Sequence, residues 1–87
     1  MPDQWKRIRD NKMRWHGDID YDKRIIRINP SKKKNKKPGE LLDTILHEEM
    51  HRAHPKMWEK TVQQRVNTLK RSMPPSKKHK LYSKYYG

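Results

Sequence analysis

Gly39-Glu40-Leu41-Leu42-Asp43-Thr44-Ile45-Leu46-His47-Glu48-Glu49-Met50-His51-Arg52-Ala53 is the stretch on which both the fold and the chemistry of this chain turn. On a helical wheel Leu41, Leu42, Ile45, Leu46, Met50 and Ala53 fill one half of the circumference, and His47 and His51 stand together on the other. The spacing predicts a helix over 39–53. Two imidazoles four residues apart lie one turn above each other, so both can reach a single metal ion. Glu48, between them, falls beside the ion's open position, where a carboxylate can accept a proton from bound water.

Downstream, His54-Pro55 sets the geometry. Proline suits the first position of a helix but disfavours the helical conformation in the residue before it. A break is therefore expected at His54, with a second helix over 55–71 carrying Trp58, Val62, Val66 and Leu69 as one apolar stripe. In an unbroken helix the α-carbons of His47 and His54 would be about 10.5 Å apart, too far for one ion. The break lets His54 swing back as the third ligand. Glu59, one turn into the second helix, is the rival, because catalytic zinc also accepts two histidines and a carboxylate. His16 is a weaker candidate, and His79, within a lysine run, is not expected to bind metal.

Upstream, Met13, Trp15, Gly17, Ile19 and Tyr21 alternate with polar residues, the period of a half-buried strand. Asp20-Tyr21-Asp22-Lys23 reads as a turn, and Ile25, Ile26 and Ile28 fit a second strand. A β-hairpin over 13–29 follows, whereas residues 1–12 show no clear period. Glu49 falls in the middle of the apolar arc of the 39–53 helix. It is either solvated on a shorter helix or a partly buried carboxylate paired with Arg24 or Arg27 of the hairpin, since a buried acid needs a partner.

The chain has 87 residues, of which 30% are apolar and 38% charged, with a net charge of +13. So small and polar a chain buries little, and a bound metal would add its ligation energy directly to folding. Cysteine is absent, which excludes disulfides, thiolate metal sites and cysteine nucleophiles. No apolar run approaches the ~20 residues of a membrane helix, and Met1-Pro2-Asp3-Gln4 does not resemble a signal peptide, so the cytoplasm is the expected compartment. All 10 acids lie at or before Glu59, leaving 60–87 with basic charges alone. Lys32, Lys33, Lys34, Lys36 and Lys37 form a second basic block in an expected exposed loop, 31–38. Such blocks are either solvated charge or contacts for nucleic acid.

The segment Leu42-Asp43-Thr44-Ile45-Leu46-His47-Glu48-Glu49-Met50-His51, followed by His54-Pro55-Lys56-Met57-Trp58, resembles the SprT-like and related minimal zincin metallopeptidases, several of which occur in bacteria and their phages. In that family a strand or hairpin precedes a helix with a T-x-x-H-E-x-x-H core, and a third histidine comes shortly before an aromatic residue. The resemblance implies Zn2+ as cofactor, His47, His51 and His54 as its ligands, Glu48 as general base, and a protein or peptide as substrate. It covers about residues 42–59. Spartan-type members have a longer insertion between the second and third histidines, where this chain has only Arg52 and Ala53. Some relatives act on DNA-bound proteins.

The expected architecture is α+β. A small zincin-like domain over 1–75 packs an N-terminal β-hairpin beside the H-E-x-x-H helix and a second helix, and 76–87 follows as a flexible basic tail. The expected function is zinc-dependent hydrolysis of peptide bonds. The alternative is a non-catalytic, zinc-stabilised module that binds nucleic acid through the Lys-rich loop and the tail, with Tyr82, Tyr85 or Tyr86 stacking on bases.

Overall fold

Alternation around Gly17 and Ile19, and the β-branched run after the turn, produce the expected hairpin in a shorter form. The structure, a computed structural model, describes residues 4–37 and 39–86. Met1, Pro2, Asp3, Pro38 and Gly87, at the limits of segments read from the sequence, lie outside the described residues, as does the side chain of Lys34. In chain order the elements are β1 (Lys6–Arg9), β2 (Gly17–Asp20), β3 (Ile25–Ile28), a 3-10 turn (Lys34–Lys36), α1 (Glu40–Ala53), α2 (Glu59–Ser72) and α3 (Pro75–Tyr86). The fold is a small α+β domain. Among the described residues no helix is long and apolar enough to cross a membrane.

β2 runs antiparallel to β3 with Gly17 opposite Ile28 and Ile19 opposite Ile26. The turn between them uses Arg24 in the left-handed region, at φ 56°, and Asp20 accepts the Lys23 N–H. β1, which the sequence did not reveal, pairs parallel with β3 and gives the order β1-β3-β2. Its residues, Lys-Arg-Ile-Arg, carry no apolar alternation, because the strand is held by its backbone ladder and Arg7 is its one partly buried residue.

Side-chain parity then sorts the sheet. Ile26 and Ile28 face the helices and are fully buried, packed with Ile45 of α1 and Tyr85 of α3. Arg27 lies on the opposite face and pairs with Asp18. Leu42 and Leu46 of α1 face the other way, onto Val62 and Val66 of α2. α1 is thus the central element, and each fully buried Ile or Val contributes about 1.5–3 kcal/mol.

Two corrections concern the second half. Of residues 76–87, expected as a tail, the described ones, 76–86, form most of α3. Leu81, Tyr82 and Tyr85 share one face and pack on the sheet cluster, and Pro75 occupies the first helical position, where its missing N–H costs nothing. Three apolar side chains among many lysines were too sparse to read as a stripe. The second helix starts at Glu59 and not at Pro55, because Pro55 sits in a turn closed by the Met57 N–H on the His54 carbonyl at 3.0 Å.

Glu49 is buried, and its partner is Arg7. Glu49 Oε1 has the Arg7 Nε at 2.9 Å and the Lys84 Nζ at 4.0 Å, and Glu49 Oε2 has the Arg52 Nε at 3.4 Å. Neither Arg24 nor Arg27 fills this role. Arg27 projects from the far face of the sheet, and Arg24 is in the turn, bonded to Gln4.

Gly17 marks the closest approach of sheet and helix. A Cβ there would stand 2.7 Å from Thr44 Cγ2 and 3.3 Å from the Arg27 carbonyl oxygen. Thr44 cannot easily rotate away, since its hydroxyl donates to Asn35 Oδ1 at 2.6 Å. Gly17→Ala should therefore destabilise the fold by about 1–3 kcal/mol, as overpacking does. Thermal denaturation followed by circular dichroism reads this directly, and an unchanged midpoint would mean that β2 can slide off α1.

Candidate metal centre

The amphipathic register of α1 buries Leu42 and Leu46 and leaves His47 and His51 half-buried on the face towards the start of α2. Their rings meet edge to face with centroids 4.7 Å apart, and the two Nε2 atoms are 3.1 Å apart. α1 ends after Ala53. The His54 N–H still reaches the Met50 carbonyl at 2.8 Å, but its own φ of −136° takes the chain out of the helix. The turn that follows restarts the chain as α2 with Glu59 in the first turn, where the helix dipole favours a carboxylate.

That restart brings Glu59 over the two imidazoles. Its Oε2 is 3.1 Å from His47 Nε2 and its Oε1 is 2.5 Å from His51 Nε2. Ligands around a tetrahedral ion with bonds near 2.1 Å are about 3.4 Å apart, so a small outward adjustment makes room for one ion. His47, His51 and Glu59 form the one group of three or more such donors found together among the described residues. Two nitrogens and a carboxylate leave the fourth tetrahedral position open.

His54 is not in the group. It is exposed at the end of α1, and the break that was expected to swing it inward instead delivers Glu59, the rival candidate. His16 stands just before β2, where its backbone carbonyl accepts the Asn29 N–H and the Asn35 side-chain amide. His79 is exposed on α3.

Glu48 is 6% exposed, next to the two histidines and against β2, with its Cγ 3.5 Å from the position a Gly17 Cβ would take. The contrast with its neighbour is informative. Glu49 is neutralised by three cations, whereas no side chain among the described residues donates to Glu48. Burial, followed by the negative charges of Asp18 and Glu59, pushes the Glu48 carboxyl up to about 7. A largely buried carboxyl with no cation paired to it holds its proton more tightly than usual, and such groups cluster at functional sites.

Tyr21 is the residue the sequence did not point to. Just beyond β2, its hydroxyl donates to the His51 carbonyl at 3.3 Å, and burial with Glu48 and Glu59 nearby raises its pKa, so it stays a neutral donor beside the centre. Nothing in the local sequence marks it, since its position depends on how the hairpin lies across α1. Trp58, immediately before Glu59, is 82% exposed.

Of the tyrosines expected to stack on bases, Tyr85 is buried and Tyr82 half-buried, leaving Tyr86 exposed. Compared with protein-family models, curated proteins and solved structures, the chain finds no match.

Proposed function

We propose that this chain is a minimal zincin-like, zinc-dependent peptidase of the cytoplasm, with His47, His51 and Glu59 as metal ligands and Glu48 as general base. The observation that carries this reading is the unpartnered, buried Glu48 beside three converging donor atoms. A metal site that served only the fold would have no use for it, and a hydrophobic or paired residue there would be more stable. A zinc ion on these ligands would acidify a water and polarise the scissile carbonyl. Glu48 takes the proton that the attacking water releases and delivers it to the departing amine nitrogen. The Tyr21 hydroxyl, turning from the His51 carbonyl, would hydrogen-bond the scissile carbonyl oxygen as negative charge develops there. β2 is an outer strand of the sheet, so an extended substrate can add to its free edge and lie across α1.

The test is reconstitution. Protein stripped of metal should melt at a lower temperature and cleave an unfolded protein substrate only after zinc is restored. Glu59→Ala should weaken zinc binding strongly, and His54→Ala should leave it near wild type. Full zinc occupancy without any cleavage would leave the centre as a structural site, and zinc retention by Glu59→Ala would return the third position to His54.

A further inference from the structure

Away from the metal centre, the end of β1, Asn11, Pro30 and the end of α3 form a cleft of about 520 Å³, whose lining includes Arg7, Arg9, Tyr85 and Tyr86, and the chain runs from Pro30 straight into loop 31–37. The Arg9 guanidinium lies over the Tyr86 ring at 4.4 Å from its centroid, and Tyr82 meets the same ring edge to face at 6.4 Å. Tyr86 is thus held in a fixed orientation while remaining 42% exposed. A cation stacked on an aromatic ring at the mouth of a cleft is a platform for another flat, electron-rich ring.

The adjoining lysines are not a loose run. Asn35, at the centre of their loop, is buried, and its amide donates to the carbonyls of Asn29 at 2.8 Å and His16 at 2.9 Å while its oxygen accepts from Thr44. Asn29 in turn donates to the Met13 carbonyl and accepts from Ser31, and the Ser31 hydroxyl also reaches the carbonyl of Asn11, on the cleft wall. These bonds, those of Asn35 to Asn29 and Thr44 being buried, fix the loop backbone, and Lys33, Lys36 and Lys37 are exposed on it, with Lys32 half-exposed. The carboxylate closest in sequence to the cleft, Asp10, is already engaged by the Lys12 N–H and by Arg27. Charge of one sign, presented on a pinned backbone beside a stacking platform, matches a polyanion that carries planar bases.

We infer that this cleft and loop bind single-stranded nucleic acid, with a base stacked at Arg9 and Tyr86 and the phosphates held by Lys32, Lys33, Lys36 and Lys37. An unpaired strand fits because the platform is a single ring set in a cleft, which a paired and stacked base cannot enter. The interaction is independent of the metal centre and survives its failure as a peptidase.

Fluorescence anisotropy with a labelled oligothymidylate of roughly 20 nucleotides, and with a duplex of equal length, provides the test. The single strand should bind more tightly than the duplex. Tyr86→Ala should weaken that binding about tenfold or more, and Arg9→Gln should weaken it too, while Tyr86→Phe stays within about twofold of wild type. Replacing the four lysines by glutamine should flatten the slope of log affinity against log salt by about 2–3, at roughly 0.7 for each phosphate that is no longer neutralised. Thermal melts establish that each variant is folded. Folded Tyr86→Ala binding as well as wild type, equal affinity for duplex, or an unchanged salt slope in the lysine variant would each overturn the inference.

Discussion

Glu48→Gln is expected to reduce peptide hydrolysis by about 10²–10⁴-fold while zinc stays bound. Glutamine has the size and helix preference of glutamate but cannot accept the proton. It also removes a buried carboxylate that nothing neutralises, so the variant should melt at or above the wild-type temperature. His47→Ala and His51→Ala should behave in the opposite sense, losing metal, stability and activity together, because each removes one of the three proposed ligands. The pair of outcomes separates chemistry from architecture within one helix. Cleavage by Glu48→Gln at the wild-type rate, with zinc content measured alongside, would remove the carboxylate from the mechanism.

The second large effect lies on the other side of α1. Arg7→Ala should destabilise the fold by about 3–5 kcal/mol, the usual cost of stranding one member of a buried ion pair. For a domain of this size that is a large share of total stability and lowers the melting temperature by more than about 10 °C. The cost comes from Glu49, whose side chain is 10% exposed against 7% for Arg7. Changing both together, Arg7→Met with Glu49→Met, should recover most of the loss, since Arg52 and Lys84 are more exposed and can turn to water. A single Arg7→Ala variant that melts within a degree or two of wild type would show that those two cations already suffice.

How much could be read from the residues follows from where each signal resides. The helix of His47 and His51 was legible because its apolar arc and its two imidazoles repeat at helical spacing, and the hairpin because residues 13–21 alternate apolar with polar and Ile25, Ile26 and Ile28 are β-branched. The break at His54 was also legible, but not its consequence. Proline marks where a helix stops, whereas which side chain joins the two histidines depends on the turn that follows, and that turn brings Glu59 to them. β1 and α3 were hidden for one reason. Each buries few side chains and exposes many charges, so neither shows a period; β1 is held by its ladder with β3 and by Arg7 on Glu49, and α3 by packing on the sheet cluster. Glu49 could be recognised as an acid in need of a partner, yet naming Arg7 required knowing that β1 exists. Tyr21 and the Arg9–Tyr86 pair depend wholly on tertiary placement.

The packing of β1 against α3 also dictates an order of events during synthesis. β1 is made before β3 and joins it across the intervening β2, but Leu81 and Tyr85, which close the core over Ile26 and Ile28, are made only after α1 and α2. A nascent chain that has released α1 and α2 already displays His47, His51 and Glu59, while its sheet core remains uncovered and Glu49 still lacks Lys84. Contacts of such long sequence separation form slowly and only once both partners are free. Ribosome-stalled chains ending before residue 75 should therefore be protease-sensitive along β1–β3 even in the presence of zinc. A deletion of α3 intended to remove basic charge would unfold the sheet as well.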